Sequence, residues 1–346
     1  MPKKTAFITG ITGQDGGYLA KLLLDRGYDV HGLQRRTSSS TVGKLYEVVG
    51  ADRARDEITM HTGDMTDGAS LVQALKACEP DEVYNLAAQS HVKVSFEKPE
   101  YTSNVNAMGT LRLLEAIRLL GMGDHVRFYQ ASTSELYGNV QEMPQSETTP
   151  FQPRSPYAIS KHHAFLTTVN YREAYGFHAS NGILFNHEGP TRGEDFVSRK
   201  ITIGVARIHK GLSKSLSLGN LDAKRDWGHV RDYVEGMWMM QQQEQASDYV
   251  LATGEDHSVR EFAELAFRHV GREIEWSGIG VDEKGRDAKS GDILVEVNPQ
   301  FFRPAEVNSL LGNPGKARDE LGWEPKVTFT QLVSDMIDSD LARVSA

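Results

Sequence analysis

The stretch Thr9-Gly10-Ile11-Thr12-Gly13-Gln14-Asp15-Gly16 decides how the chain is read. An apolar run (Ala6, Phe7, Ile8) precedes it, and Tyr18-Leu19-Ala20-Lys21-Leu22-Leu23-Leu24, with helical periodicity, follows it. A strand, a glycine-rich turn and a helix start are the three parts of a diphosphate cradle. Gly10 permits the tight turn, Gly13 lets backbone approach the diphosphate, and Gly16 lets the helix pack on the strand. The free N–H groups of the helix start then face the anion. The spacing is G-x-x-G-x-x-G, and among 32 glycines three at such spacing say little by themselves. Their position between strand and helix gives them meaning. The plainer alternative is an ordinary βα turn.

Outward from this turn, alternating elements follow. Tyr28 to Leu33 reads as a second strand, and Gln34-Arg35-Arg36-Thr37-Ser38 stands at its end, where NAD-specific folds place an acidic residue. Two guanidiniums and hydroxyls suit a 2′-phosphate, which points to NADP rather than NAD; a solvated arginine pair is the alternative. Ile58 to Thr62 forms a third strand, ending in Gly63-Asp64-Met65. Asp64 is placed to hold an adenine amino group with Met65 over the ring, or equally to cap the helix through Leu71 and Leu75. Val83 to Leu86 is the fourth strand, running into Ala87-Ala88-Gln89-Ser90, whose small residues let a cofactor lie against backbone. A helix over Val105 to Leu120 follows, with Tyr101 just before it. The fifth strand, Val126 to Ala131, ends in Ser132-Thr133-Ser134-Glu135-Leu136-Tyr137-Gly138. This alternation predicts an α/β fold, a Rossmann-type doubly wound parallel sheet with right-handed crossovers. Ligands there sit beyond the carboxyl ends of the strands, so Thr133 and Glu135 fall in the crevice by topology.

After a proline-rich loop, Tyr157-Ala158-Ile159-Ser160-Lys161 places a tyrosine and a lysine on one helix face. A nearby ammonium lowers a phenol's pKa from about 10 and brings tyrosinate within reach of neutrality. The spacing alone is common; its place on the helix after the Thr133 strand gives it weight. Beyond the sixth strand (Ala179 to Phe185) the alternation loosens. Asn186-His187-Glu188-Gly189-Pro190-Thr191-Arg192-Gly193 reads as a loop, Val197 to Lys210 as a helix carrying Arg199 and Lys200, and Asp282 to Gly291 as an exposed loop. Short strands (Leu216 to Leu218, Tyr249 to Ala252) alternate with helices (Tyr233 to Gln243, Val259 to Val270). Arg225-Asp226-Trp227-Gly228-His229-Val230-Arg231-Asp232 and Phe302-Arg303-Pro304-Ala305-Glu306 concentrate charge with little helical pattern. The expected organisation is a dinucleotide-binding domain over 1–189 with the catalytic residues, and a smaller α/β lobe over 190–346 whose segments interleave with the first domain. Lys200, Arg225 and Arg303 are candidates for a second diphosphate, with surface ion pairs as the alternative.

Composition narrows the classes. At 346 residues the chain suits two domains or one α/β domain with an appended lobe, and a net charge of −9 with dispersed acids argues against nucleic acid and membrane surfaces. Cys78 is the only cysteine, which excludes intrachain disulfides and fits a reducing cytoplasm. No leader-like segment and no run long enough to span a bilayer is read, so a cytoplasmic protein is expected. The 12 histidines form no H-E-x-x-H and one cysteine builds no cysteine-based zinc site, so no metal is expected.

Gly10-x-x-Gly13-x-x-Gly16, Asp64, Asn85-Leu86-Ala87-Ala88, Ser132-Thr133, Tyr157-x-x-x-Lys161 and Asn186 together resemble the extended short-chain dehydrogenase/reductases. Ser132 to Gly138, Leu184-Phe185-Asn186-His187-Glu188, Arg225-Asp226-Trp227-Gly228 and Phe302 to Glu306 resemble, within them, the GDP-mannose 4,6-dehydratase family over nearly the whole chain. The interval near Asp287 looks short for that family, which touches only a local loop. The resemblance implies conversion of GDP-D-mannose to GDP-4-dehydro-6-deoxy-D-mannose with tightly held NADP, on the way to GDP-fucose, GDP-rhamnose and related sugars. It implies cofactor positions at Gly10, Ile11, Thr12, Gly13, Gln14, Asp15, Gly16, Arg35, Arg36, Asp64, Met65, Leu86, Ala87, Ala88, Gln89, Ser90, Tyr101, Tyr157, Lys161, His187 and Arg192. It places the GDP-sugar at Ser90, Glu135, Asn186, Lys200, Arg225, Arg303 and Glu306. The Arg35/Arg36 pair implies a homotetramer, because that loop reaches a neighbouring subunit's cofactor site in the family.

The chemistry expected of Thr133, Glu135, Tyr157 and Lys161 follows from their groups. Tyrosinate at Tyr157 takes the O4 proton as hydride leaves C4, with Thr133 hydrogen-bonding the same oxygen. The 4-ketone acidifies C5–H, and Glu135, two residues past Thr133 on the same strand-end face, is the base that lets water leave C6. An epimerase or a 4-keto reductase needs no carboxylate there. A helix N-terminal carboxylate without catalytic duty is the alternative for Glu135. A nucleotide-sugar 4-epimerase, a 4-keto reductase and a non-catalytic NADP-sensing protein remain open at this point.

Overall fold

The computed structural model describes residues 3–38, 41–302 and 309–344. The chain divides into two compact units. Unit 1 comprises Met1–Phe185, Val230–Leu251 and Gly312–Glu324, and unit 2 comprises Asn186–His229, Ala252–Leu311 and Pro325–Ala346.

Unit 1 is a seven-stranded sheet between helices. Its strands are β1 (Thr5–Thr9), β2 (Asp29–Gln34), β3 (Ile58–Thr62), β4 (Glu82–Asn85), β5 (Arg127–Ala131), β6 (His178–Leu184) and the later strand Asp248–Leu251. Their order across the sheet is Asp248–Leu251, β6, β5, β4, β1, β2, β3, and every neighbouring pair is parallel. The chain runs outward from β1 through β3 and then returns to β4 on the other side of β1. That reversal is the topological switch point, where an α/β sheet opens a crevice. Strands covered on both faces read as apolar runs: Ala6 and Ile8 belong to one core cluster, Phe7 to the other.

The helix carrying Tyr157 and Lys161, Pro156–Tyr175, has strong local signals at both ends. Ser155 caps it by accepting from the Ala158 N–H at 3.1 Å, Pro156 fills the first turn, and Gly176 closes it at φ 72°. The helix expected over Val105 to Leu120 is observed as a π turn, Asn104–Met108, continuing into Gly109–Leu119.

Unit 2 builds its own core from the helices Val197–His209, Val259–His269 and Phe329–Arg343. Capping boxes start two of them, Ser258 with Glu261 and Thr328 with Gln331. Three small sheets complete it. Here the structure corrects three readings. Asn186–Glu188 is a strand rather than a loop, pairing in parallel with Trp227–His229. The charged stretch after Arg225 contains that partner strand, and the following helix begins at Val230 rather than Tyr233. The segment expected as an exposed loop contains Lys284–Asp287, a strand between Ile274–Ser277 and Ile293–Val297. Its inward positions hold Gly285 and Asp287 instead of apolar residues, so no alternation was visible. A Cβ on Gly285 would meet Ile274 Cγ2 at 2.7 Å.

Candidate active site

The glycine turn sits at the switch point, where β1 ends. Gly10 adopts φ 71°, and its carbonyl accepts from the Gly13 N–H at 2.9 Å. A Cβ on Gly10 would lie 2.8 Å from the Ala87 nitrogen; one on Gly16 would lie 2.4 Å from the Gly10 oxygen. The turn is therefore pressed against the segment after β4 on one side and its own helix on the other, with no room for side chains. Gly13 is the N-cap of the helix Gln14–Asp25 and supplies no side-chain cap. The first turn of a helix so begun carries the backbone N–H groups that a helix start offers to an anion.

Beneath the turn lies a row of buried polar residues in strand register: Thr9 opposite Asn85, Asn85 opposite Gln130 and Gln130 opposite Asn181. Thr9 Oγ1 donates to Asn85 Oδ1 at 2.7 Å and accepts from the Leu86 and Ala87 N–H groups, each at 3.1 Å. Asn85 Nδ2 donates to Gln130 Oε1 at 2.8 Å. Asn106, in the π turn, accepts from the Gln89 N–H at 2.9 Å and donates to the Gln89 carbonyl and to Ser160 Oγ, each at 3.0 Å. These bonds fix Leu86 to Ser90 and tie it to the Tyr157 helix. Sequence reading missed Thr9, Asn106, Gln130 and Ser160, since each is a polar residue whose partner lies far along the chain.

The catalytic candidates converge on the end of β5. Lys161 Nζ is buried and donates to the Ala131 carbonyl at 2.9 Å. Thr133, two residues beyond Ala131, is also buried, and its Oγ1 accepts from the Glu135 N–H at 3.2 Å. That bond uses a lone pair and leaves the hydroxyl proton to donate elsewhere. Tyr157 is buried in the helix's first turn; Glu135, expected on the strand-end face of Thr133, lies instead in a 3₁₀ turn, Ser134–Leu136, that Thr133 caps, and is half-buried. Burial pushes the Lys161 ammonium down to about 8, an effect the Asp15 carboxylate partly opposes. Ser132 Oγ is buried with no hydrogen-bond partner among the described residues, as expected where a ligand supplies one.

The remaining cofactor candidates of unit 1 fall as follows. Arg35 Nη1 donates to the Tyr101 hydroxyl at 2.8 Å, so those two meet, and Arg36 is exposed. Asp64 Oδ1 accepts from both the N–H and the hydroxyl of Thr66 at 2.8 Å, while the cap of the following helix, Gly68–Cys78, is Asp67. The Met65 side chain lies in the core with Phe7, Leu33 and Leu71.

In unit 2, Asn186 and His187 lie on the short strand beside Trp227 and Gly228. Arg192 pairs with the buried Glu188 at 2.9 Å and stacks over Phe196. Lys200 Nζ stands 3.0 Å from the Phe301 ring centroid, and Arg225 is buried, with Nη1 donating to the Lys224 carbonyl at 2.6 Å. Arg303 and Glu306 lie outside the described residues.

Fold and site together define an extended short-chain dehydrogenase/reductase: a parallel sheet, a glycine turn at its switch point, and a Thr-x-Glu turn after a strand whose end is bonded to the lysine of a Tyr-x-x-x-Lys helix. A solved structure of Thermus thermophilus UDP-glucose 4-epimerase in complex with NAD is 26% identical and superposes at a TM-score of 0.80, covering 98% of this chain and 100% of that one. Within the class, the model of the GDP-mannose 4,6 dehydratase family matches residues 7–336. GDP-mannose 4,6-dehydratase of Vibrio cholerae serotype O1 is 56% identical, covering 100% of this chain and 96% of the relative. The Homo sapiens GDP-mannose 4,6 dehydratase is 52% identical, covering 98% and 92%. The chain belongs to the GDP-mannose 4,6-dehydratase family.

Proposed function

We propose that this chain is a hydro-lyase that converts GDP-D-mannose to GDP-4-dehydro-6-deoxy-D-mannose and water, with NADP as its resident cofactor. The observation that carries the reading is the bond from Lys161 to the Ala131 carbonyl, which anchors the Tyr157 helix on the strand end bearing Thr133 and Glu135.

The residues present fit the cofactor. The turn at Gly10 and Gly16 has no space for a Cβ, so Gly10 to Gly16 would hold the diphosphate through backbone N–H groups. Arg35 and Arg36 would take the 2′-phosphate. Asp64 would hold the adenine amino group through its second oxygen, Oδ1 being engaged by Thr66. Leu86 to Ser90 and Tyr101 would line the ribose and nicotinamide side. When bound, the nicotinamide accepts a hydride from the sugar and later returns it, so there is no net oxidation.

The chain's own groups move the protons. Tyr157 Oη, held as phenolate by the Lys161 ammonium, takes the proton from the sugar's O4, and the free Thr133 O–H holds that oxygen in place. Glu135 then removes the C5 proton, made acidic by the adjacent ketone. The C6–O bond breaks, and the hydroxyl leaves as water with the proton that Glu135 returns; C5 then takes a solvent proton through Glu135 as C6 is reduced, and Tyr157 releases the O4 proton to solvent, which closes the cycle. Glu135 is what distinguishes a dehydratase from a 4-epimerase on this fold. The family resemblance supports GDP-sugar roles for Asn186, Lys200, Arg225, Arg303 and Glu306, and cofactor roles for His187 and Arg192. The family resemblance supports a homotetramer with the Arg35/Arg36 loop at the interface.

Glu135→Gln tests the assignment, because it keeps the shape and removes the base. Dehydration should fall at least ~100-fold while NADP remains bound. Product formation near the wild-type rate would remove Glu135 as the base and leave the dehydratase reading without its distinguishing residue.

A further inference from the structure

The start of β2 carries a cluster that the proposed chemistry does not use. His31 Nδ1 and His61 Nε2 face each other at 2.9 Å, their rings stacked with centroids 5.2 Å apart. Cys78 Sγ, at the last residue of the helix Gly68–Cys78, completes the set: it and one ring nitrogen from each histidine all lie within 4.8 Å of one another. All three residues are half-buried, so the set is sheltered but reachable. His31 Nε2 lies 3.4 Å from Asp29 Oδ2. With its Nε2–H on that carboxylate, His31 presents the Nδ1 lone pair toward His61, the arrangement by which outer carboxylates orient metal-bound imidazoles. Residues 29 and 31 lie toward the N-terminal end of β2, whereas the cofactor candidates Arg35 and Arg36 follow its C-terminal end.

We propose that His31 Nδ1, His61 Nε2 and Cys78 Sγ bind a borderline-soft divalent transition-metal ion of the zinc class. Two imidazoles and one thiolate with a carboxylate behind them form a donor set that suits such an ion. Tetrahedral bonds of ~2.0–2.3 Å place ligand atoms ~3.3–3.8 Å apart. The imidazoles must part slightly and the thiol must swing inward, which side-chain rotation achieves, and water takes the fourth position. Burial keeps the free thiol protonated, so the ion displaces that proton. The bound ion would clamp the helix end to β2 and β3, a stabilising role. Local spacing gave no sign of this site, because its ligands come from two strands and a helix end.

The test uses the full chain after chelator treatment, titrated with Co²⁺ and followed by thiolate-to-cobalt charge-transfer absorption. Cys78 is the chain's only cysteine, so such a band reports this residue alone. The band should saturate at one Co²⁺ per chain, bleach when Zn²⁺ is added, and vanish in Cys78→Ala. Asp29→Asn should weaken binding about tenfold or more. Zn²⁺ should raise the Tm of the wild type and leave that of Cys78→Ala unchanged. Absence of the band at millimolar Co²⁺ would overturn the proposal. So would a band unaltered in both His31→Gln and His61→Gln, or a Zn²⁺-dependent rise in Tm that survives in Cys78→Ala.

Discussion

Replacing Lys161 with methionine separates stability from catalysis at one atom. Burial lowers the Lys161 pKa from 10.5 to about 8. At about 1.36 kcal/mol per pH unit, that gap means the buried ammonium costs unit 1 about 3 kcal/mol at neutral pH. Below about pH 8 both folded and unfolded chains carry the proton, and the penalty is fully present. From there to 10.5 the unfolded chain still holds a proton that the folded chain has released, so stability rises with pH. Lys161→Met keeps the unbranched side chain up to Cε, removes the charge and forfeits the bond to the Ala131 carbonyl. That carbonyl keeps a second donor, Gln130 Nε2 at 2.9 Å, so the loss is about 1 kcal/mol. The variant should therefore be more stable than the wild type by about 2 kcal/mol at pH 7, with the advantage fading by pH 10.5. Dehydration should fall at least ~100-fold, because Tyr157 loses the cation that holds its phenolate. Urea unfolding of cofactor-free protein at the two pH values, beside a product assay, reads both quantities. A variant less stable than the wild type at pH 7, or one active within a few-fold of it, would refute the reasoning.

Two further substitutions probe the turn and the second unit. Gly10→Ala places a Cβ 2.8 Å from the Ala87 nitrogen at a φ of 71°; it should cost about 1–3 kcal/mol and abolish tight NADP binding, read by thermal unfolding and calorimetry. In unit 2, Arg199 is buried, with Nε donating to both Asp340 oxygens at 2.9 Å and Thr202 donating to the same carboxylate at 2.6 Å. Asp340→Ala strands that guanidinium and should destabilise the unit by about 3–5 kcal/mol in urea, whereas Arg199→Met with Asp340→Leu should recover most of the loss.

What could be read from the sequence follows from what each position buries. β1 is legible because a central parallel strand covered on both faces is dense in apolar residues, here Ala6, Phe7 and Ile8; β3 is read at its observed bounds, Ile58–Thr62, although it is the edge strand and only its Ile58 is buried. The Tyr157 helix was legible from Tyr157-x-x-x-Lys161 and its place after the Thr133 strand, whereas the local signals that set its ends, Ser155-Pro156 and Gly176, went unread. The strand Lys284–Asp287 was not, since glycine and a buried carboxylate replace the inward apolar residues that alternation needs. Nor was the row Thr9, Asn85, Gln130 and Asn181: buried amides and hydroxyls look like surface until register pairs them. The pairing of Arg199 with Asp340, 141 residues apart, has no local signature at all. The candidate site splits the same way. Thr133, Glu135, Tyr157 and Lys161 stood out as motifs, whereas Asn106 and Ser160, which brace them, became visible only when the fold joined the Gln89 segment to the helix.

Purified wild-type protein incubated with GDP-mannose in D₂O without added cofactor, with the sugar followed by NMR, puts the dehydratase activity itself to the test. The expected result is loss of the C6 hydroxyl, a new C6 methyl group, a carbonyl at C4 and deuterium at C5, turned over by the NADP the protein already carries. GDP-mannose left unchanged even after NADP is added, or converted to its 4-epimer with no deuterium at C5, would contradict it.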